Sequence, residues 1–290
     1  MSVWNSKYMV LVRRELWEHR TLWLAPLSVA LLVVIVPMFA NVNFGAAGDL
    51  TVTASNVPPE AYSMFGRALL TGIASVLGII ASMVSLVYLL DCLFAERKDR
   101  SILFWKSLPV SDSQTVLTKL GVALLLVPLF TLLVALVTHV LLTGALQLRY
   151  PSMRPVLGLE SVVDGFRAMP QLAGVWLFTL LWYAPVATYL MLASVLAKRA
   201  PLMYAVLPPA VLMLCEGLWL DSNHVAMFLG ERLVPWARFA WSPESSRGTF
   251  MVPGVDWSAQ LQNLGLWLGL AAAAGMVYIV IRLRRYRDDT

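Results

Sequence analysis

The chain has 290 residues, 59% of them hydrophobic and 13% charged, with a formal net charge of +5 and a mean hydropathy of +0.72. A soluble domain carries about 25% charged residues, so this chain has too few charges to cover a water-facing surface and is suited to one facing lipid. The basic residues form no contiguous basic domain, which argues against a nucleic-acid partner.

Residues 1–20 read as a helix with a short apolar stripe of Met9, Val12 and Leu16, flanked by Arg13, Arg14 and Arg20. Arginine stems can lie along lipid with their heads in water, so the segment is expected to be interfacial. A membrane span needs about 20 mostly apolar residues. Six segments qualify, at about 21–40, 68–90, 120–146, 172–197, 202–220 and 261–281. The first is too long, and too far from the start, for a signal peptide. The expected fold is all-α integral membrane.

The Lys and Arg residues set the orientation. Fifteen of the 22 fall in the N-terminal segment, the loops between spans two and three and between four and five, and the C-terminal segment. The positive-inside bias puts those segments, and both termini, in the cytoplasm. The outer segments are longer. The one between spans five and six contains Val234-Pro235-Trp236 and Phe239-Ala240-Trp241, and such aromatics favour the membrane boundary. This segment is expected to form short re-entrant or interfacial helices.

Within the spans, prolines and small residues stand out. Pro208 and Pro209 lie side by side in span five and should break it, forming either a gate or a static kink. Ala74, Gly78 and Ser82 in span two, and Gly265 and Gly269 in span six, mark close-packing faces that serve either the subunit itself or a dimer. Ionisable side chains are scarce. Glu216, near the end of span five, either faces a transport path or bonds to backbone near the outer headgroups. Cys92 and Cys215 make no disulfide or zinc framework, and His19, His139 and His224 lack metal-ligand spacing. No metal site and no catalytic residue is expected.

The loop between spans two and three is dense in charge, then apolar, then stopped. It reads Glu96-Arg97-Lys98-Asp99-Arg100-Ser101, then Ile102 to Leu108 with Phe104 and Trp105, then Pro109. Ser101 can cap a helix of about two turns that Pro109 ends, and a second helix start follows at Ser111 or Asp112. Such a helix, with exposed aromatic anchors beside charges, suits docking onto a protein. It equally suits aromatics resting in the lipid interface.

Glu96-Arg97-Lys98 through Ser107-Leu108-Pro109-Val110-Ser111, with Lys119 opening the next span, resembles the corresponding loop of ABC-2 type transporter permeases. The whole layout, with six spans and cytoplasmic ends, is similar to that family. The resemblance implies a coupling helix at Glu96–Pro109 that seats on a separate ATPase subunit, present in two copies. It also implies a second permease subunit, identical or homologous, in the cell (inner) membrane. ATP and Mg would then be bound by the partner ATPase, and this chain would bind no cofactor. The chain departs from the family where many members carry Gly-Thr followed by Glu, since it has Arg100-Ser101-Ile102-Leu103. Consistent with hydrolysis on another chain, there is no Gly-Lys pair and hence no phosphate loop. The function this implies is ATP-driven export of a lipid-like, drug-like or peptide cargo. The alternatives are a stand-alone channel or secondary transporter, or a membrane assembly factor that transports nothing.

Overall fold

The computed structural model describes residues 3–39, 59–99, 110–151, 157–233 and 257–286. Among these residues the protein is all-helical, with no strands. In chain order the helices are α1 (Val3–Glu18), α2 (Thr21–Phe39), α3 (Pro59–Asp91), α4 (Phe94–Lys98), α5 (Asp112–Gly121), α6 (Val127–Arg149), α7 (Leu159–Leu196), α8 (Pro201–Trp219), α9 (His224–Leu233), α10 (Trp257–Leu261) and α11 (Leu264–Tyr286). A five-residue π turn, Val122–Leu126, joins α5 to α6. Six helical segments are long and apolar enough to cross a membrane.

The spans divide into a centre and a periphery. In α3, in α5 with α6, and in α7, 44% of the most apolar window is buried inside the protein, whereas the values for α2, α8 and α11 are 17%, 11% and 22%. Leu70, Ala74 and Leu77 of α3 pack with Leu132, Ala135 and Leu142 of α6 and Leu172 of α7 to form one buried cluster. A second cluster, nearer the other end, joins Leu89 and Leu93 to Val116, Val122 and Met191. On the small-residue face of α3, Ala74 is buried in this packing and Gly78 is half-buried, while Ser82 is exposed. A Cβ added at Gly78 would lie 2.9 Å from the Trp176 ring of α7, and one at Gly269 would collide with the Arg232 guanidinium.

Helix α7 begins at Leu159, well before the expected start near 172, and runs 38 residues. At about 1.5 Å per residue it is roughly 57 Å long, more than the ~30 Å hydrocarbon core requires. Ser161, Asp164, Gly165, Ala168, Leu172 and Val175 are all buried. That spacing is a helical stripe, hidden from a hydropathy average by Glu160, Asp164 and Arg167.

The adjacent prolines do not break span five, contrary to expectation: α8 continues through Pro208 and Pro209. Each proline lacks an N–H and so frees the carbonyl four residues earlier. Those carbonyls belong to Tyr204 and Ala205. The Tyr189 hydroxyl of α7 lies 3.3 Å from the first and 3.0 Å from the second and donates to them. A neighbouring helix thus supplies the donor that the prolines removed. Pro128 is accommodated differently, because the preceding π turn absorbs the mismatch.

Candidate functional site

Helix α1 places its side chains on the bundle through Leu11 and Glu15, one helical turn apart and both buried. Val12 packs beside them. Met9, the first residue of the apolar stripe, is 68% exposed on the protein surface. The corner into α2 is fixed by the Trp23 indole N–H, which donates to the Leu16 carbonyl at 3.2 Å. This satisfies one of the acceptors that a helix C-terminus leaves open.

Glu15 is the first member of a buried ionic cluster. Its carboxylate accepts from Lys119 Nζ at 2.8 and 2.9 Å and from the Tyr88 hydroxyl at 2.9 Å. Lys119, fully buried in α5, also reaches Glu96 Oε1 at 3.1 Å. Glu96, in α4, takes a further contact from Arg14 at 3.1 Å and one from Arg284 Nη2 at 3.0 Å. Arg284 Nε closes the chain on Asp112 at 3.1 Å. Three carboxylates (Glu15, Glu96 and Asp112) thus face three cations (Arg14, Lys119 and Arg284). Arg14 also holds Glu18 at 2.8 Å. Burying such groups is costly unless each is paired and hydrogen-bonded, and here each carboxylate is.

The cluster ties α1, α4, α5 and the end of α11 together. A parallel set of bonds adds α7. The Ser194 hydroxyl accepts from the Leu93 and Phe94 N–H groups at 3.2 and 3.0 Å. Arg97 donates to the Ser194 and Ala197 carbonyls at 2.6 and 2.9 Å, closing the last turn of α7. On the other side of the loop, Ser111 is the N-cap of α5, with Gln114 completing the reciprocal capping box.

Of the residues expected to dock a partner, Glu96 and Arg97 are therefore turned inward, while Lys98 and Asp99 are exposed. Arg100, Ser101, Phe104, Trp105, Leu108 and Pro109 lie outside the described residues. Glu15, Glu18 and His19 bring three potential ligand atoms within 4.8 Å. Ion pairs with Lys119 and Arg14 already engage both carboxylates, so the set does not fit a metal. His19 stands edge-on to the Tyr88 ring with centroids 4.8 Å apart. Burial holds its pKa below the ordinary histidine value, against the pull of nearby Glu15.

At the opposite end of the bundle, Glu216 is committed to backbone. Asp221, at φ 45°, turns the chain out of α8 in the left-handed conformation that short polar residues tolerate. The Glu216 carboxylate then accepts from Ser222 Oγ and from the N–H groups of His224 and Val225, at 2.7–2.8 Å. It caps the start of α9 from the preceding helix. Arg232 of α9 is buried over the Trp182 ring, 4.8 Å from its centroid, and donates to the Gly265 carbonyl at 2.6 Å.

Sequence reasoning passed over Glu15, Arg284 and Asp112 as a joint site. A signal was present in Lys119, a cation followed by a long apolar run with no local partner, and in Glu15, a carboxylate four residues from Leu11 on the same face. No family model matches the chain, and no curated protein or solved structure matches it.

Proposed function

We propose that the chain is the membrane-spanning subunit of an ATP-driven ABC-2 type exporter. Both termini lie in the cytoplasm, and a separate ATPase subunit docks on residues 96–109. The observation that supports this reading is the anchoring of both stems of that segment. At its start, Glu96 and Arg97 are pinned to α1, α5, α7 and α11. After it, Asp112 and Lys119 join the same cluster. A force applied to the segment therefore acts on the bundle as a unit instead of flexing a loose loop, which is the requirement for coupling to an outside motor. A channel working alone has no need of it.

Two such subunits, identical or homologous, would enclose a path lined by α2, α3 and α8, and α9 and α10 would lie at the outer membrane boundary. The sparsely buried faces of α2 and α8 leave surface for a second subunit or lipid. The apolar, aromatic spans suit a lipid-like, drug-like or peptide cargo, and an external ATPase removes the need for carboxylates deep in the bilayer.

The test is affinity purification in mild detergent with stoichiometric partners identified by mass spectrometry, followed by ATP hydrolysis. A phosphate-loop ATPase should co-purify, and Phe104→Asp with Trp105→Asp should abolish stimulated hydrolysis while membrane insertion is kept. Recovery of an oligomer without an ATPase would replace this reading with a stand-alone transporter. A double variant with unchanged hydrolysis would remove the docking assignment.

A further inference from the structure

A cavity of about 440 Å³ opens between the start of α5 and the end of α11, beside the ionic cluster and at the end of the bundle shared by both chain termini. Its polar wall is rich in donors. Arg285 is exposed and lines it, and so does Arg284. The Arg284 side chain is only 4% exposed. Its Nε pairs with Asp112 and its Nη2 with Glu96, while Nη1 is buried and has no hydrogen-bond partner. The guanidinium thus keeps N–H groups that the cluster does not use.

The α5 terminus adds to this. Its capping box uses the Gln114 N–H, and Thr115 N–H bonds to the Ser111 carbonyl. The Asp112 and Ser113 N–H groups are left over. The Ser111 and Ser113 hydroxyls lie 3.0 Å apart, so one bonds the other and one O–H remains to donate. Among the described lining residues the only carboxylate, Asp112, is already neutralised by Arg284. These donors suit a tetrahedral anion.

Two features favour an anion that carries hydrocarbon. Val110 and Ile281 line the same cavity, and α11 runs away from it as a span whose apolar window is only 22% buried. A headgroup held at Arg285 can therefore lay its acyl chains along α11. The exposed Arg285 complements the negative surface charge of an anionic leaflet.

We propose that this cavity binds the phosphate group of an anionic phospholipid. The inference rests on the membrane reading alone, so it stands or falls separately from ATPase recruitment.

The experiment is native mass spectrometry of the full chain in mild detergent, titrated with phosphatidylglycerol or phosphatidylcholine, with and without millimolar inorganic phosphate. The wild type should retain phosphatidylglycerol in preference to phosphatidylcholine. Arg285→Gln with Ser113→Ala should weaken that retention about tenfold, the effect of losing one charge-assisted contact. Arg282→Gln should leave it nearly unchanged, because that side chain is turned to the Tyr278 hydroxyl at 2.9 Å. If the double variant elutes abnormally, Arg285→Lys carries the test, since it keeps the charge but loses the planar fork and should still weaken retention. Equal retention of the two lipids would overturn the proposal, as would an equal loss in Arg282→Gln, which would indicate diffuse surface charge. Displacement of the lipid by inorganic phosphate would reassign the cavity to a free anion and overturn the lipid assignment.

Discussion

The two ends of the bundle handle charge in opposite ways. At the end shared by the termini, ion pairs join residues far apart in sequence: Glu15 to Lys119 spans 104 positions and Asp112 to Arg284 spans 172. At the other end, Glu216 closes a turn only six to nine residues long, and Arg232 is met by carbonyls and aromatic rings. The first arrangement locks separate helices into one body. The second sets the exit direction of α8 through Glu216 and holds α9 to α7 and α11 through the uncharged partners of Arg232. On the function proposed above, a motor acting from outside the membrane would need the first arrangement at its point of contact.

The contrast is broken most severely by Lys119→Met. Removing the cation leaves Glu15 and Glu96 buried and facing one another, and losing one partner of a buried ion pair is destabilising by about 3–5 kcal/mol. The thermal midpoint of the detergent-solubilised protein should fall steeply, and adding Glu15→Gln should recover part of the loss. A Lys119→Met protein as stable as wild type would mean that the cluster is not a structural lock.

Tyr189→Phe is expected to have a smaller effect. It removes the donor that serves the carbonyls freed by Pro208 and Pro209 and should cost about 1–2 kcal/mol. Hydrogen exchange should quicken in the middle of α8, while the ionic end stays protected.

Glu216→Gln should be milder still and confined to its own end. The first turn of α9 should exchange faster, with the global midpoint nearly unmoved. A large drop in stability would make the two ends equivalent and remove the distinction.

The smallest effect concerns pH. Because burial lowers the His19 pKa in the folded protein, the unfolded chain binds more protons in the window just below the ordinary value of about 6.5. Stability should therefore fall modestly as the pH drops through that window. His19→Gln should flatten the slope measured by thermal unfolding between neutral and mildly acidic pH.

Much of the architecture could be read along the chain. Hydropathy is a local sum, so the six spans emerged in order although several helices begin well before them, and a helix start at Ser111 or Asp112 was legible because a cap and the N–H groups it serves lie within four residues. Two of the misreadings arose where a local rule was answered from elsewhere. The Pro208-Pro209 pair breaks an isolated helix, yet Tyr189 on another helix restores the donor. The polar start of α7 depresses a hydropathy average, yet its buried stripe packs against neighbours that the average does not register. The site was less visible than the spans, because Glu15, Glu96, Asp112, Lys119 and Arg284 obey no shared spacing.

The sequence by itself determined that the chain has six membrane-length apolar helices and which segments carry the positive charge, since both depend on residues next to one another. Only the tertiary structure decided which charges meet. Whether a lysine at the mouth of a span is a solvated anchor or the centre of a buried cluster depends on helices folded back from more than a hundred residues away, and on the exclusion of water that their packing brings about.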